Sequence, residues 1–468
     1  MIDGLLPYAK YKDSGLPWLP KIPASWSVAR NGRMFTHCNR TGHSDLPILE
    51  VSLRSGVRVR DMKDGGRKQV MSDRSKYKQA RAGDLAYNTM RMWQGAVGVA
   101  PVDGLVSPAY VVAKPDEEVV ADYLARLFRT KEYLREIDTF SRGIVKDRNR
   151  LYWEAFKQIP SPMPPKAEQL AIVRFLAEAD LRVRRALSAK RVLIARLEEQ
   201  KQFIIHRAIT RGLDPSVRLR PSGIPWLGDV PAHWNLRKLK RLTSFHNGLP
   251  FKPADWKSSG TPIIRIQNLN GSDDFNYTTR TDLSTFLLIQ RGDLLFSWSG
   301  NRGTSFGPFV WNRDFAGYLN QHIFKLAGFT LDRTYFAHLL RAVTRHIEEQ
   351  THGIIGLVHI TKPELGSVVV PVAPGPEQVA IARWIDERVS ELDVLVDRAR
   401  RAIALLHAFN ERLTASVVSG ALDVRGAAAL LPEPTGESEP SEIADGLAGG
   451  DGDPESAEAE AIPEGAEA

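Results

Sequence analysis

The sequence predicts an α+β protein with a pseudo-twofold internal repeat: two mixed α/β domains, each running into a long helix, with the helices pairing as a coiled coil. Two repeated blocks and one apolar stripe predict it. Ser14-Gly15-Leu16-Pro17-Trp18-Leu19, with Ile22-Pro23 and Trp26, returns as Ser222-Gly223-Ile224-Pro225-Trp226-Leu227, with Val230-Pro231 and Trp234, at an offset of 208 residues. Glu168-Gln169-Leu170-Ala171-Ile172 returns as Glu377-Gln378-Val379-Ala380-Ile381, 209 residues later. Solenoid repeats have periods of roughly 20 to 50 residues, so a repeat of this length makes each copy a whole domain.

The first domain takes residues 1–165 and opens on the Trp-Pro segment. Short runs at 48–51, 84–87 and 110–113 are rich in Val, Leu and Tyr and bounded by Gly, Asp and Asn, which predicts strands. Apolar residues at steps of three and four predict a helix at 120–130. The cluster Pro160, Pro162, Pro164 and Pro165 stops the chain and opens the first long helix, 166–214, because proline is tolerated only at a helix start. The second domain, 215–375, repeats the plan, with strands at 263–266, 293–298 and 322–326 and a helix at 332–349. It ends on Pro371, Pro374 and Pro376, ahead of a second long helix at 376–423.

Along the long helices apolar residues recur at alternating steps of about four and three. They are Ile172, Leu176, Val183, Leu193, Leu197 and Ile204 in the first, and Ile381, Ile385, Leu392, Leu395, Leu406, Phe409 and Leu413 in the second. That is a coiled-coil seam. A helix of about 45 residues spans roughly 65 to 70 Å and needs a partner for its stripe, which the other copy supplies. If the pairing is antiparallel, the domains sit at opposite ends of a rod.

The net charge of +8 conceals an asymmetry, because residues 427–468 hold twelve Asp or Glu and no Lys or Arg, which leaves +20 on residues 1–426. A body so positive calls for a polyanion, and nucleic acid fits better than a membrane surface because no basic amphipathic anchor stands out. The acidic tail, rich in Glu, Ala, Gly, Pro and Ser, is expected to be disordered and solubilising. One cysteine, Cys38, excludes internal disulfides and multi-cysteine metal sites and fits a reducing cytoplasm. No apolar run approaches the roughly 18 residues of a membrane span.

Catalytic signatures are missing: no phosphate-binding Gly-x-x-x-x-Gly-Lys loop, no His-Glu-x-x-His and no Asn-Pro-Pro-Phe/Tyr. His338, His346, His352 and His359 are spaced by eight, six and seven residues, which puts no two on adjacent helical turns and argues against a metal. The chain therefore reads as non-catalytic, with no cofactor or metal of its own. Reading DNA takes basic side chains for phosphates and Arg, Gln or Asn for base edges. After the shared Asp84 and Asp293 strands the copies diverge into glycine-rich turns, one carrying Arg91, Trp93 and Gln94 and the other Ser299, Asn301 and Arg302. Further candidate DNA contacts are Arg54, Arg58, Lys63, Arg67, Lys68, Lys146 and Arg148 in the first copy and Lys252, Arg265, Gln267, Asn268 and His359 in the second. The tryptophans of the Trp-Pro segments lie among prolines and aliphatic residues, which predicts that they pin the segment to its domain and helix instead of caging a ligand.

Tyr11-Lys12-Asp13-Ser14-Gly15 with Pro17-Trp18-Leu19, its second copy at 222–234, the Gly-Asp-Leu strands and the proline-to-Glu-Gln helix starts together resemble the specificity subunit of Type I restriction-modification systems, over about residues 8–425. The resemblance implies two target recognition domains held apart by an antiparallel pair of helices, each reading one half of a bipartite site on double-stranded DNA. It also implies two modification subunits that methylate adenine with S-adenosylmethionine, and restriction subunits that act as motor and nuclease with ATP and Mg. Those activities belong to the partners. Two other readings remain at this stage: a coiled-coil DNA-associated adaptor or regulator without sequence specificity, and a single-chain DNA-modifying enzyme.

Overall fold

The computed structural model describes residues 5–60, 74–142, 149–350 and 357–432. The chain forms two compact units, one from Met1–Lys190 with Arg401–Ala468 and the other from Arg191–Arg400.

In the first unit the Trp-Pro segment is a hairpin, Tyr11–Leu16 against Leu19–Pro23, bent by a bulge between Asp13 and Leu16. The central sheet has four antiparallel strands in the order Phe35–Cys38, Tyr110–Pro115, Leu85–Asn88, Val97–Val99. All four residues of Leu85–Asn88 are buried, as expected of a strand paired on both edges. Helices Ala121–Phe128 and Lys131–Phe140 close one face, and the Thr130 hydroxyl between them caps the second by accepting from the Tyr133 N–H. Two small antiparallel pairs, Leu49–Ser52 with Gly56–Val59 and Lys78–Ala80 with Gly104–Val106, complete the unit.

The second unit repeats this plan. Its hairpin pairs Leu219–Pro221 with Asp229–Pro231, and its central sheet runs Ser244–Asn247, Ile323–Ala327, Leu294–Ser297, Gly307–Val310. Order and antiparallel sense match the first unit strand for strand. One helix of 18 residues, Arg333–Gln350, replaces the broken pair. A second four-stranded sheet stands where the first unit has two small pairs, in the order Asn276–Thr278, Thr261–Ile264, Gly317–Leu319, Leu288–Ile289. The strand expected at 263–266 ends at Ile264, and Ile266–Leu269 coil into a helical turn.

The proline clusters do more than stop the chain. Pro160–Met163 pairs with Ser27–Arg30, and Val369–Val372 with Asn235–Lys238, each in an isolated two-stranded sheet. Proline lacks the N–H that a second neighbour would need, so it is at home on such an edge.

The long helices are Lys166–Arg211 and Gly375–Val418. In the first unit Ile172, Phe175, Leu176 and Ala179 share a core with Leu413, Val417 and Val418, and Asn410 Nδ2 donates to Asp180 Oδ1 at 3.0 Å. In the second, Leu197, Leu392 and Val396 cluster with Ile194 and Ile204. Glu198 lies 3.8 Å from Arg400 and Lys201 lies 2.5 Å from Asp393, so there the two segments run antiparallel. Three seam expectations fail, because Leu193, Leu395 and Phe409 are exposed, and in the second unit Ile194 and Val396 are the ones in the apolar cluster. A 3.6-residue turn drifts against a 3.5-residue reading, so a stripe counted by fixed steps slips by one residue in mid-helix.

Both helices end on glycine in the left-handed region, Gly212 at φ +73° and Gly420 at φ +76°. A side chain at Gly420 would stand 2.5 Å from Pro23 and 3.0 Å from Trp26, and one at Gly212 would stand 3.2 Å from Trp234. Residues 427–429 of the segment expected to be disordered end a short helix, Arg425–Ala429, whose Ala428 is buried in the first core. The rest of the acidic tail from residue 433 lies outside the described residues. No described helix is long and apolar enough to cross a membrane.

Candidate nucleic-acid interface

Each unit fixes its strands to its long helix by the same two residues. Glu168 Oε1 accepts from Trp26 Nε1 at 2.7 Å and from the Tyr8 hydroxyl at 2.5 Å; Glu377 accepts from Trp234 Nε1 at 2.9 Å and bonds His233 at 2.7 Å. Burial, with the Glu168 carboxylate beside it, holds the Tyr8 hydroxyl far above its ordinary range. Next in sequence, Gln169 takes the Val120 N–H on Oε1 at 2.8 Å and donates Nε2 to Pro164 O at 2.9 Å. Gln378 does the same with the Asp332 N–H and Ala373 O, both at 2.8 Å. Trp26 and Trp234 are buried pins, as read from the sequence. Trp18 meets Tyr133 edge-on at 5.2 Å, and Trp226 stacks on His346 at 4.9 Å.

On this scaffold the first unit presents a 3-10 turn, Met92–Gln94, after its inner strand. Met92 is in the core, while Arg91, Trp93 and Gln94 are half-buried around it. Trp93 Nε1 donates to Met90 O at 3.0 Å, and Asn88 Oδ1 accepts from the Met90 N–H at 3.0 Å, so the turn is braced by its own side chains. Arg54 is exposed in the loop between Leu49–Ser52 and Gly56–Val59, and its carbonyl accepts from Arg129 Nη2 at 2.6 Å. Arg58, also exposed, pairs with Glu50. Lys63, Arg67, Lys68, Lys146 and Arg148 lie outside the described residues.

The second unit brings its candidates into two groups. Around Trp298, the strand Ser299–Asn301 pairs with Leu357–His359, setting Ser299 opposite His359, and the His359 ring meets Trp298 edge-on at 4.9 Å. The following turn is tied to the helix Arg333–Gln350: Arg302 donates to Glu348 O, and the Gly303 N–H donates to Glu348 Oε1 at 2.8 Å. Burial raises the Glu348 carboxyl above its ordinary value.

The other group lines a recess of about 270 Å³ walled by Trp256, Arg265, Gln267, Asn320, Gln321 and His322. Arg265 donates from Nη1 to Asn276 Oδ1 at 2.9 Å and lies 5.3 Å over the Trp256 ring, a cation–π contact that fixes the guanidinium plane. Gln267 Nε2 donates to Asp274 O at 3.2 Å. Asn268, expected to reach DNA, is buried: its Oδ1 accepts from the Arg265 N–H, and its Nδ2 donates to Ser272 O and Asp274 O. It shapes the loop that carries Arg265 and Gln267 and does not face solvent. Lys252 is exposed and precedes the 3-10 turn Pro253–Asp255 that leads to Trp256. Asn320, Gln321, His322 and Trp256 escaped the sequence reading, because they join Arg265 only through folding.

Residues 231–393 match the family model described as the Type I restriction modification DNA specificity domain. The chain is 22% identical over 86% of its length to the specificity subunit of Type I restriction enzyme MjaVIII of Methanocaldococcus jannaschii, covering 95% of that protein. It is 24% identical over 66% of its length to the EcoKI specificity subunit of Escherichia coli K12, covering 68% of it. Among solved structures, a chain from work on complex assembly and conformational transition of the type I R-M system shares the fold, with a TM-score of 0.63, 16% identity, 85% of this chain and 98% of that one.

Proposed function

With a Type I restriction modification DNA specificity domain in residues 231–393, we propose that the chain is the DNA-binding specificity subunit of a Type I restriction-modification complex and that each unit reads one half of a bipartite, asymmetric target. One observation carries this reading: the two units share sheet order and helix clamps, yet differ in the strands and turns laid over that scaffold. Two readers on one plan address two half-sites, and different overlays address different bases. In this reading the long helices form the spacer between target recognition domains at 1–165 and 215–375. The seam of Ile172, Leu176 and Leu413 in one unit and of Leu197 and Leu392 in the other supports it.

Phosphate contacts are assigned to Arg54, Arg58 and Lys252, and base contacts to Arg91, Gln94, Ser299, Asn301 and Arg302. The chain supplies recognition and no chemistry. Two modification subunits bring S-adenosylmethionine and methylate adenine, restriction subunits bring ATP and Mg, and the complex works in the cytoplasm. Energetics favours a doubled reader. A mismatched pair costs about 1 to 3 kcal/mol, so one domain reading three pairs discriminates by only about 3 to 9 kcal/mol, and a second domain adds its own share.

The test is to express the chain with its modification subunits and map methylated adenines across a genome. A bipartite target with two different half-sites is expected; a palindromic target overturns the asymmetry, and methylation by the chain alone overturns the non-catalytic role.

A further inference from the structure

The recess in the second unit is more than a dent between loops, because each wall is fixed from behind. The Asn320 N–H donates to Ile264 O at 2.9 Å, and the Ile323 N–H closes the turn onto Asn320 O at 3.2 Å. Trp298 holds the next two residues, its Nε1 donating to Gln321 O at 3.0 Å and its backbone N–H to His322 O at 3.2 Å. Beneath the turn runs Gly248, where a side chain would stand 2.1 Å from Asn320 O. The backbone of residues 320–323 is thus locked on both sides while the Gln321 side chain is exposed. Opposite it the Trp256 ring, 36% exposed, is pinned by Arg265. Two further polar residues line the same space: Gln267, anchored to Asp274 by its Nε2, and His322.

A primary amide beside a flat apolar face matches one base pair better than the others. In the major groove adenine offers N7 as acceptor and N6 as donor, which a Gln amide meets with two hydrogen bonds, and its partner thymine offers a C5 methyl that takes an apolar contact. Guanine presents two acceptors, which leaves the amide oxygen facing an acceptor, and cytosine has no methyl for the ring. The Gln321 amide nitrogen lies 3.2 Å from His322 Nε2, a contact that restrains the exposed side chain and reduces the freedom it loses when it engages. We propose that this recess reads one A·T pair in the half-site of the second unit, Gln321 contacting the adenine edge, the Trp256 ring contacting the thymine methyl, and Arg265 acting as the positioning residue for Trp256. The proposal rests on the specificity reading above and adds to it which residues read a base, and which base.

The experiment uses the full complex with modification subunits, bearing Gln321→Ala or Trp256→Ala, and compares methylation rates on a library carrying every base at each target position. Gln321→Ala is expected to lower discrimination at a single A·T position by roughly 5- to 150-fold, the range for one bidentate base contact, with the other half-site unchanged. Trp256→Ala is expected to relax the thymine preference at that same position. Gln321 is exposed, so the variant keeps its melting temperature and its assembly with the modification subunits. A consensus unchanged at every position of both half-sites overturns the proposal, and so does a uniform fall in rate with the consensus intact, which marks a backbone contact. If the unsubstituted complex shows no bipartite consensus, the specificity reading itself fails, and the recess with it.

Discussion

The two units are built on the same four-stranded sheet and the same Glu-Gln clamp, yet they spend their remaining residues differently. The first covers its sheet with two small strand pairs and a helix broken at Thr130, and it places Arg91, Trp93 and Gln94 on a braced 3-10 turn. The second covers the same sheet with another four-stranded sheet and one unbroken helix, and opens a recess lined by Arg265 and Gln321. The same clamp holds both scaffolds, down to the N–H that opens the helix after the sheet, while the strands and turns laid over them differ.

The comparison breaks most readily at the tryptophan pins. Trp26→Ala and Trp234→Ala each remove a buried indole, so each is expected to cost about 3 to 5 kcal/mol. Denaturant unfolding of the full chain reads both, and a near-neutral Trp234→Ala shows that the second copy has lost the need for its pin.

A sharper contrast lies in the acceptors. Glu168 is buried and serves two donors, Tyr8 and Trp26, so Glu168→Ala leaves both unmatched and is expected to cost about 1 to 3 kcal/mol. Glu377 has a half-exposed side chain, where water replaces the lost bonds, and Glu377→Ala is expected to cost below about 1 kcal/mol. Equal losses in the two variants mean that burial does not distinguish the copies.

The smallest expected difference is in acid. Burial lowers His206, His246, His338 and His346 of the second unit below the ordinary histidine value of 6.5, against His37 alone among the described histidines of the first. His338 sits between Asp386 at 2.7 Å and Arg341 at 3.2 Å, and the Arg341 charge lowers it further. A histidine depressed in the folded state takes up protons in the unfolded chain first, so stability is complete above pH 6.5 and declines as pH falls through and below it. Hydrogen exchange followed unit by unit is expected to show the second losing protection first between neutral and mildly acid pH, and a first unit that opens earlier contradicts this.

Much of the scaffold was legible before folding. The doubled Trp-Pro and Glu-Gln blocks are sequence-local, and the inner strands show because Asp84-Leu85 and Asp293-Leu294 follow a glycine in both copies. What the Glu and Gln do was not legible, since Glu168 meets a tryptophan 142 residues away and Gln378 a backbone N–H 46 away. Asn268 misled for the opposite reason: its amide bonds its own loop, and composition cannot tell an amide turned inward from one turned out. The recess unites three segments that no periodicity links, so Gln321 carried no signal in the sequence.

The first unit is closed by the far end of the chain. Tyr11 donates its hydroxyl to Gly420 O at 3.1 Å, the Asp423 N–H donates to Leu6 O at 2.9 Å, and Leu413, Val417, Val418 and Val424 complete the core around Trp26. The second unit, by contrast, is one continuous stretch, Arg191–Arg400. During synthesis the usual order is therefore reversed. The ribosome releases the second unit complete while the first still lacks a wall, and at about 5 to 20 residues per second that wall arrives roughly twenty to eighty seconds after the residues it covers. A nascent chain of this protein carries an unfinished, aromatic-rich amino-terminal half for that interval, and a stop codon a few residues before Leu413 leaves that half unfinished for good.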